Sequence, residues 1–308
     1  MTRALILFTE FSAQSGAARP ADLKALLEAN AVDLEVDTAT YDELLFTMSN
    51  EMTTIKLANR ESTVADYDIV YMRRISENSS EAMAVGKYCL AQAIPAIDEE
   101  TVNRPGSMTK LTQYMQFAQA AVSIPKTLYS SSQSVLCDAL KAGELSFPLI
   151  LKSANGSRGE DNYLVKSLSD AEDLFAKHPN VKFLAQQYIT NTADYRIWVC
   201  GDQIGPILHR SRQSGHKNNT SQGGEATLLE DKGVIPQRVL QESIRASQLL
   251  QRNVAGADVI FENDDLRGSF YFLEINRAPQ IEGTPFEDIK ARALGEYLKR
   301  KSRSNPDE

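Results

Sequence analysis

Cysteine is scarce in this sequence, 3 in 308 residues. Cys89, Cys137 and Cys200 lie far apart and form no Cys-x-x-Cys pair. That excludes a disulfide framework and a structural zinc as expectations, and it fits a reducing compartment. Histidine is as rare, and none of His178, His209 and His216 makes a convincing catalytic triad. The first two read as structural; His216 lies in a polar loop. No apolar run approaches the ~20 residues that a membrane helix needs. The opening Ala4-Leu5-Ile6-Leu7-Phe8 is too short for a secretion signal, so the chain reads as cytoplasmic. Positive charge is not in excess: 33 Lys and Arg stand against 41 Asp and Glu, a net −8, which argues against a nucleic-acid partner. The basic cluster Lys299 to Arg303 fits the last turn of a helix, where the macrodipole favours cations. Also missing are a Gly-rich dinucleotide fingerprint and a phosphate loop ending in Gly-Lys-Ser/Thr.

What is present is an ordinary globular composition, 42% hydrophobic and 24% charged. The length suggests two or three lobes. Residues 3–8 and 68–72 read as buried strands, and 21–29 and 80–91 as helices. Their alternation implies an α/β lobe with a mainly parallel sheet that ends near Ile97. The next stretch reads as a helix over 107–121, a short strand at 125–129, a helix over 131–142, and a strand over 147–152. The polar loop 153–160 and a strand at 163–165 follow. Strand, glycine-bearing loop, strand makes a hairpin whose tip can close over a ligand. The last third is strand-rich: 183–189, 194–200, 203–212, 254–261 and 269–276, with the polar loop 213–224 and helices over 236–250 and 286–301. The expected organisation is therefore a scaffold or substrate lobe over 1–100, a lobe with the glycine-bearing loop over 101–185, and a lobe with the polar cluster over 186–308.

That cluster begins in Phe270-Tyr271-Phe272-Leu273-Glu274-Ile275-Asn276-Arg277. The run has the apolar content of a buried strand, yet Glu274 and Asn276 fall on one face of it, since residues i and i+2 share a face. A buried lone carboxylate costs several kcal/mol unless something pairs with it. Asp258 is likewise the lone charge in Val254 to Phe261, and residues 262–268 carry turn chemistry. An antiparallel hairpin turning near Asp265 and Leu266 brings Asp258 roughly opposite Glu274. Like charges that close call for a cation between them. Three hard oxygens with no His or Cys nearby select Mg²⁺ or Mn²⁺ over zinc. Mg²⁺ is commonly shared with substrate phosphates, so the cluster implies a nucleotide. The alternative is a polar edge strand with Asp258 exposed. Lys152 ends a buried strand beside the glycine-bearing loop, where it can reach phosphates. Lys110 opens a helix, where its charge calls for a nearby anion. Arg196 and Arg210 lie on strand faces opposite their apolar neighbours, placed either for surface pairing or for bidentate phosphate contact. Arg73 and Arg74 close a strand, where they either form an exposed ion pair or meet a substrate carboxylate.

From about Ile94 to Gly283 the chain resembles the ATP-grasp ligases, and among them the RimK-like branch. The resemblance is carried, in order, by Ile94-Pro95-Ala96-Ile97-Asp98, Thr109-Lys110-Leu111, Ile124-Pro125-Lys126-Thr127, Phe147 to Lys152 and the glycine-bearing loop. It continues through Gln186-Gln187-Tyr188-Ile189, Asp194-Tyr195-Arg196, Lys217-Asn218-Asn219, Gly223-Gly224, Asp258 and Glu274-Ile275-Asn276. It implies an ATP-grasp fold behind an N-terminal α/β lobe, with an ATP pocket between two lobes. Lys110 and Lys152 would hold phosphates, helped by the loop of Ser157 and Gly159. The backbone of Gln186, Gln187, Tyr188 and Ile189 would meet adenine, and Asp194 the ribose. Asp258, Glu274 and Asn276 would bind two Mg²⁺ with Glu274 bridging. Arg210, Arg196, Lys217 and Asn219 would face the γ-phosphate and an acyl intermediate. The chain departs from the branch at Gln187, Lys217, Glu160-Asp161-Asn162, Arg277 and Gln280. Arg277 stands where the family is usually small, which marks it as a candidate for substrate recognition.

The resulting expectation is an ATP-dependent ligase joining a carboxylate to an amine through an acyl phosphate, on an amino acid or peptide. The loop tip at 157–159 and the loop 213–224 would exclude water from that intermediate. The family often pairs into homodimers; the sequence marks no interface. A kinase using the same ATP grip on an alcohol, or a non-catalytic nucleotide-binding regulator, are the alternatives. The intact carboxylate cluster weighs against the latter.

Overall fold

The computed structural model describes residues 1–14, 19–58, 60–98, 100–103, 109–154, 162–211 and 225–303. The first sheet is built around two continuous apolar runs of the chain. β1 (Thr2–Phe8) is followed by α1 (Glu10–Gln14), α2 (Pro20–Asn30) and β2 (Leu34–Thr40). A separate antiparallel hairpin, β3 (Leu44–Met48) and β4 (Thr53–Leu57), precedes β5 (Ile69–Met72), α3 (Ser79–Ala91), β6 (Ala96–Ile97) and α4 (Glu100–Asn103). The sheet order is β2-β1-β5-β6, all parallel. Alternate residues of β1 and β5 feed two cores: Ala4, Ile6, Phe8, Ile69 and Tyr71 on one face, Leu5, Leu7, Val70 and Met72 on the other. A sheet buried on both faces needs such continuous apolar strands.

The second sheet is antiparallel. α5 (Lys110–Gln119), β7 (Thr127–Tyr129), α6 (Gln133–Lys141), β8 (Leu149–Ser153), β9 (Asn162–Val165), α7 (Leu168–Lys177) and β10 (Phe183–Gln187) give the strand order β7-β10-β8-β9. α6 and α7 cover one face through Leu136, Leu140, Leu174 and Phe175, packed on Leu149, Leu151 and Ala185. Alternation then sends Lys152, which pairs with Leu184, to the opposite face.

The third sheet is β13-β12-β11-β14-β15, from β11 (Ala193–Cys200), β12 (Gln203–Ser211), β13 (Glu225–Leu228), β14 (Val254–Phe261) and β15 (Phe270–Arg277). α8 (Gln237–Leu249) covers one face over Ile197, Val199, Ile207 and Ala257. α9 (Glu287–Lys301) covers part of the other and joins Trp198, Cys200 and Val254 to β1 and α2 in one core. The uncovered part of that second face carries the polar residues of the cluster. Among the described residues the elements beyond the expected set are α1, β2, the β3–β4 hairpin, β6, α4, α7 and β13. The helix expected from 107 starts at Lys110 in the described chain.

Candidate active site

β14 and β15 form the expected hairpin, and Asp258 lies directly opposite Glu274. Asn263 and Asp264 turn the chain with positive φ, +56° and +57°, a conformation that Asn and Asp tolerate better than most residues. β14 lies inside the sheet between β11 and β15, and Asp258 is buried, so the edge-strand alternative is set aside. The Arg196 guanidinium meets Asp258 as a fork, Nε to Oδ1 at 2.6 Å and Nη2 to Oδ2 at 2.7 Å. Arg210 Nη2 stands 3.0 Å from Asp258 Oδ1, while its Nε donates to Asp194 Oδ1 at 2.6 Å. The Asn276 amide donates to Asp258 Oδ2 at 3.0 Å. The charge expected from a metal alone is thus supplied in part by two arginines. Burial by itself would raise the Asp258 carboxyl, but Arg196 and Arg210 hold it below the usual range. Burial wins at Asp194, which is raised despite Arg210. The Asp194 carboxylate, expected to face a ribose, is committed to Arg210.

Glu274 is different. It is half-buried and makes no hydrogen bond or ion pair among the described residues. Lys152 faces the same region from β8: its ammonium is buried and has no hydrogen-bond partner among the described residues. Burial pushes Lys152 down to about 8, against the pull of Glu274 and then Asp258. An open carboxylate and an open ammonium therefore confront each other across two sheets, and Tyr114 lies close to the carboxylate side. Its hydroxyl donates to Leu273 O at 2.6 Å, and burial raises it well above an ordinary phenol.

The remaining expected residues fall into three groups. Gln186 is buried on the Lys152 face of its sheet and donates through Nε2 to Thr127 Oγ1 at 2.9 Å. Gln187 faces the other way, its Oε1 accepting from Lys126 N at 3.4 Å. Tyr188 and Ile189 follow the last ladder pair of β10, and Lys110 is half-buried at the start of α5 behind the Thr109 cap. Ser157, Gly159, Lys217 and Asn219, with His216, lie outside the described residues.

The arginines proposed for substrate contact are mostly employed elsewhere. Arg277 donates through Nε to Asp98 Oδ2 at 3.1 Å and through Nη2 to Met72 O and Thr101 Oγ1, both at 2.8 Å. Asp98 also accepts from Asn253 N and Val254 N. Arg277 therefore fastens the third sheet to the first, because the fully buried Asp98 needs a cation. Arg73, also fully buried, donates through Nη2 to Pro279 O and Glu282 Oε2, both at 3.2 Å. Arg74 is half-buried beside the same carboxylate. Asp98, Glu282, Lys290 and Gln113, whose Oε1 accepts from Ile275 N at 3.2 Å, were not legible as site-building residues. The signal for Lys290 was a lysine in the first turn of a helix, where the macrodipole disfavours it.

The donor set suits a hard cation. Among the described residues no three His, Cys, Asp or Glu gather as a cage. Mg²⁺, however, takes one or two protein carboxylates and fills its other positions with phosphate and water. Glu274 is the carboxylate open to it. Asp258 is already surrounded, so its share has to displace an arginine or the Asn276 amide.

The chain is similar to known proteins in sequence and in fold. A model of the RimK-like ATP-grasp domain matches residues 108–293. The chain is 28% identical over 253 residues to a probable alpha-L-glutamate ligase of Mannheimia succiniciproducens, covering 77% of this chain and 78% of that protein. It is 28% identical over 191 residues to a protein of the same description from Alkalilimnicola ehrlichii, covering 60% of each, less than two thirds of that relative's length. Among solved structures it resembles the ATP-grasp ligase PsnB complexed with a phosphomimetic variant of its minimal precursor, Mg and ADP, with a TM-score of 0.70 at 17% identity over 98% of this chain and 99% of that one. D-alanine–D-alanine ligase from Bacillus anthracis complexed with ATP gives 0.62 at 13% identity, over 98% and 97%. At these identities the likeness is one of fold.

Proposed function

The chain belongs to the RimK-like ATP-grasp family, and from that premise we propose that it is an ATP-dependent carboxylate–amine ligase acting on an amino acid or peptide. The observation that carries the reading is the confrontation of the buried Lys152 ammonium with Glu274, Asp258 and Asn276, backed by Arg196 and Arg210. A triphosphate together with its Mg²⁺ satisfies all of them at once. The relatives named glutamate ligases, and the neighbour bound to its precursor, support an amino-acid or peptide substrate.

In this reading Lys152 and Lys110 take phosphate oxygens, and the strand end at Gln186 to Ile189 takes the adenine. Asp194 holds Arg210 in place rather than meeting the ribose. Glu274, Asn276 and Asp258 would hold two Mg²⁺ ions, which would supply neutralisation of the phosphate oxygens. A substrate carboxylate oxygen attacks the γ-phosphorus and ADP leaves. A neutral amine then attacks the acyl carbon, the C–O bond breaks with loss of phosphate, and the nitrogen gives up a proton to leave an amide. Arg196 and Arg210 stabilise the charge on the transferred group, so positioning and electrostatics do most of the catalysis. No side-chain nucleophile is required.

The test is ADP release from Mg²⁺ and ATP, screened against amino acids, short peptides and acidic acceptors, with hydroxylamine as trap. A carboxylate-dependent hydroxamate supports the ligase. A stable phosphorylated alcohol and no hydroxamate would identify a kinase instead. Glu274→Ala should remove turnover; unchanged turnover in that variant would overturn the metal assignment.

A further inference from the structure

Lys290 is a buried cation near Arg196 and Arg210 with no counter-ion in contact among the described residues. It lies in the first turn of α9 and is only 3% exposed. Both settings penalise an ammonium: burial strips its water, and the helix start presents the positive end of the macrodipole. No side chain caps that helix start. The Lys290 ammonium donates one hydrogen bond, 2.7 Å to Thr284 Oγ1, and forms no ion pair with a carboxylate among the described residues. The Thr284 hydroxyl donates onward to Ile281 O at 2.5 Å, so it serves Lys290 only as an acceptor.

α9 covers the same sheet face that carries Arg196 and Arg210, and it brings Lys290 to the edge where core gives way to site. Burial, and then the charges of Arg196 and Arg210, bring Lys290 down to about 8, with Glu287 pulling the other way. Three cations thus gather where Asp258 and Asp194 pair with the two arginines; Glu287, whose Oε2 accepts from Gly283 N, makes no ion pair with Lys290 among the described residues, which leaves the Lys290 ammonium open to an anion. Their place suggests which one. Lys152 approaches Glu274 and Asp258 from β8, while Arg196 and Arg210 approach Asp258 from β11 and β12. A phosphate chain that enters along Lys152 and passes the carboxylates ends among these three cations.

We propose that Lys290, with Arg196 and Arg210, holds the transferred phosphoryl group through its oxygens, on the side away from Lys152. The proposal rests on the nucleotide reading of the site. An oxyanion bound there keeps Lys290 protonated, so its role is charge and hydrogen bonding rather than proton removal from the amine.

Calorimetric titration of inorganic phosphate into the full chain saturated with ADP and Mg²⁺ tests it. The wild type should bind phosphate saturably. Lys290→Gln should bind it about 10- to 100-fold more weakly, the worth of a charge-assisted contact, and Lys290→Arg should recover most of the loss by keeping the charge. Urea unfolding of both variants shows that the chain is folded in the assay. Phosphate affinity unchanged in Lys290→Gln, or lost equally in Lys290→Arg, overturns the proposal; so does a wild type that binds ADP but not phosphate. A wild type that binds no ADP and Mg²⁺ refutes the nucleotide reading itself, and the proposal with it.

Discussion

Lys152 is expensive to the folded chain and valuable to its ligand, for one physical reason. Its folded value of about 8 lies below the roughly 10.4 of a solvated lysine. The stability linked to this group is therefore complete above that unfolded value and lost as pH falls through 8, so at neutral pH the buried charge is a cost. Lys152→Met should raise the unfolding free energy at pH 7 by about 1–3 kcal/mol while abolishing detectable ATP binding. Chemical denaturation and nucleotide titration on the same variant check the pair. Bound phosphate restores the proton, so ATP binding at pH 8 should take up about half a proton at Lys152. Calorimetry in buffers of different ionisation enthalpy reads that uptake, which disappears in Lys152→Met. Arg277 shows the limit of reading residues singly. Its charge is plain in the sequence, but its partner Asp98 lies 179 positions away and meets it only in the folded chain. Arg277→Gln should cost about 2–4 kcal/mol in urea unfolding and leave the preference among substrates unaltered. A changed preference without loss of stability would restore it to substrate recognition.

Among elements, the β14–β15 hairpin was the most legible. Two apolar runs flank a turn of Asn, Asp and Gly, and a side-chain period of two leaves little choice of register. Lys152 on its strand and the parallel first sheet were legible for similar reasons. β2 was not, because Asp37, Thr38 and Thr40 interrupt its apolar pattern. β13 is a short edge strand with no buried residue. α7 carried a signal that went unused: Ser167 accepts from Asp170 N, and Asp170 accepts from Ser167 N, a capping box just before the helix. Within β14, Gly256 makes room for the aliphatic stem of Arg196. A Cβ there would stand 3.1 Å from Arg196 Cδ and 3.2 Å from Pro279 Cβ. Gly256→Ala should therefore disturb the Arg196–Asp258 fork and cost about 1–3 kcal/mol, seen as a lower urea midpoint together with weaker ATP binding.

Across the whole molecule, two buried ion pairs tie the first sheet to the segment around and after β15: Arg277 with Asp98, and Arg73 with Glu282. β15 is thereby held between the first sheet and its own sheet. Burial would raise the Glu282 carboxyl, but Arg73, backbone N–H donors including that of Arg19, and Arg74 together hold it low. A lowered carboxylate contributes stability above its unfolded value, near 4.3, and loses it as pH falls through the folded one. Glu282→Gln should cost about 3–5 kcal/mol at pH 7 and lose less further stability than the wild type below pH ~4.3. Urea unfolding across pH 3–7 measures both. None of the described helices is long and apolar enough to cross a membrane.

Attack of a carboxylate oxygen on the γ-phosphorus, as proposed above, would leave its record in the released phosphate. A substrate that supports ADP release should be supplied with ¹⁸O in its carboxylate, and the phosphate analysed by mass spectrometry. Each phosphate released during amide formation should carry one ¹⁸O. Phosphate without the label, formed while the amide accumulates, would contradict it.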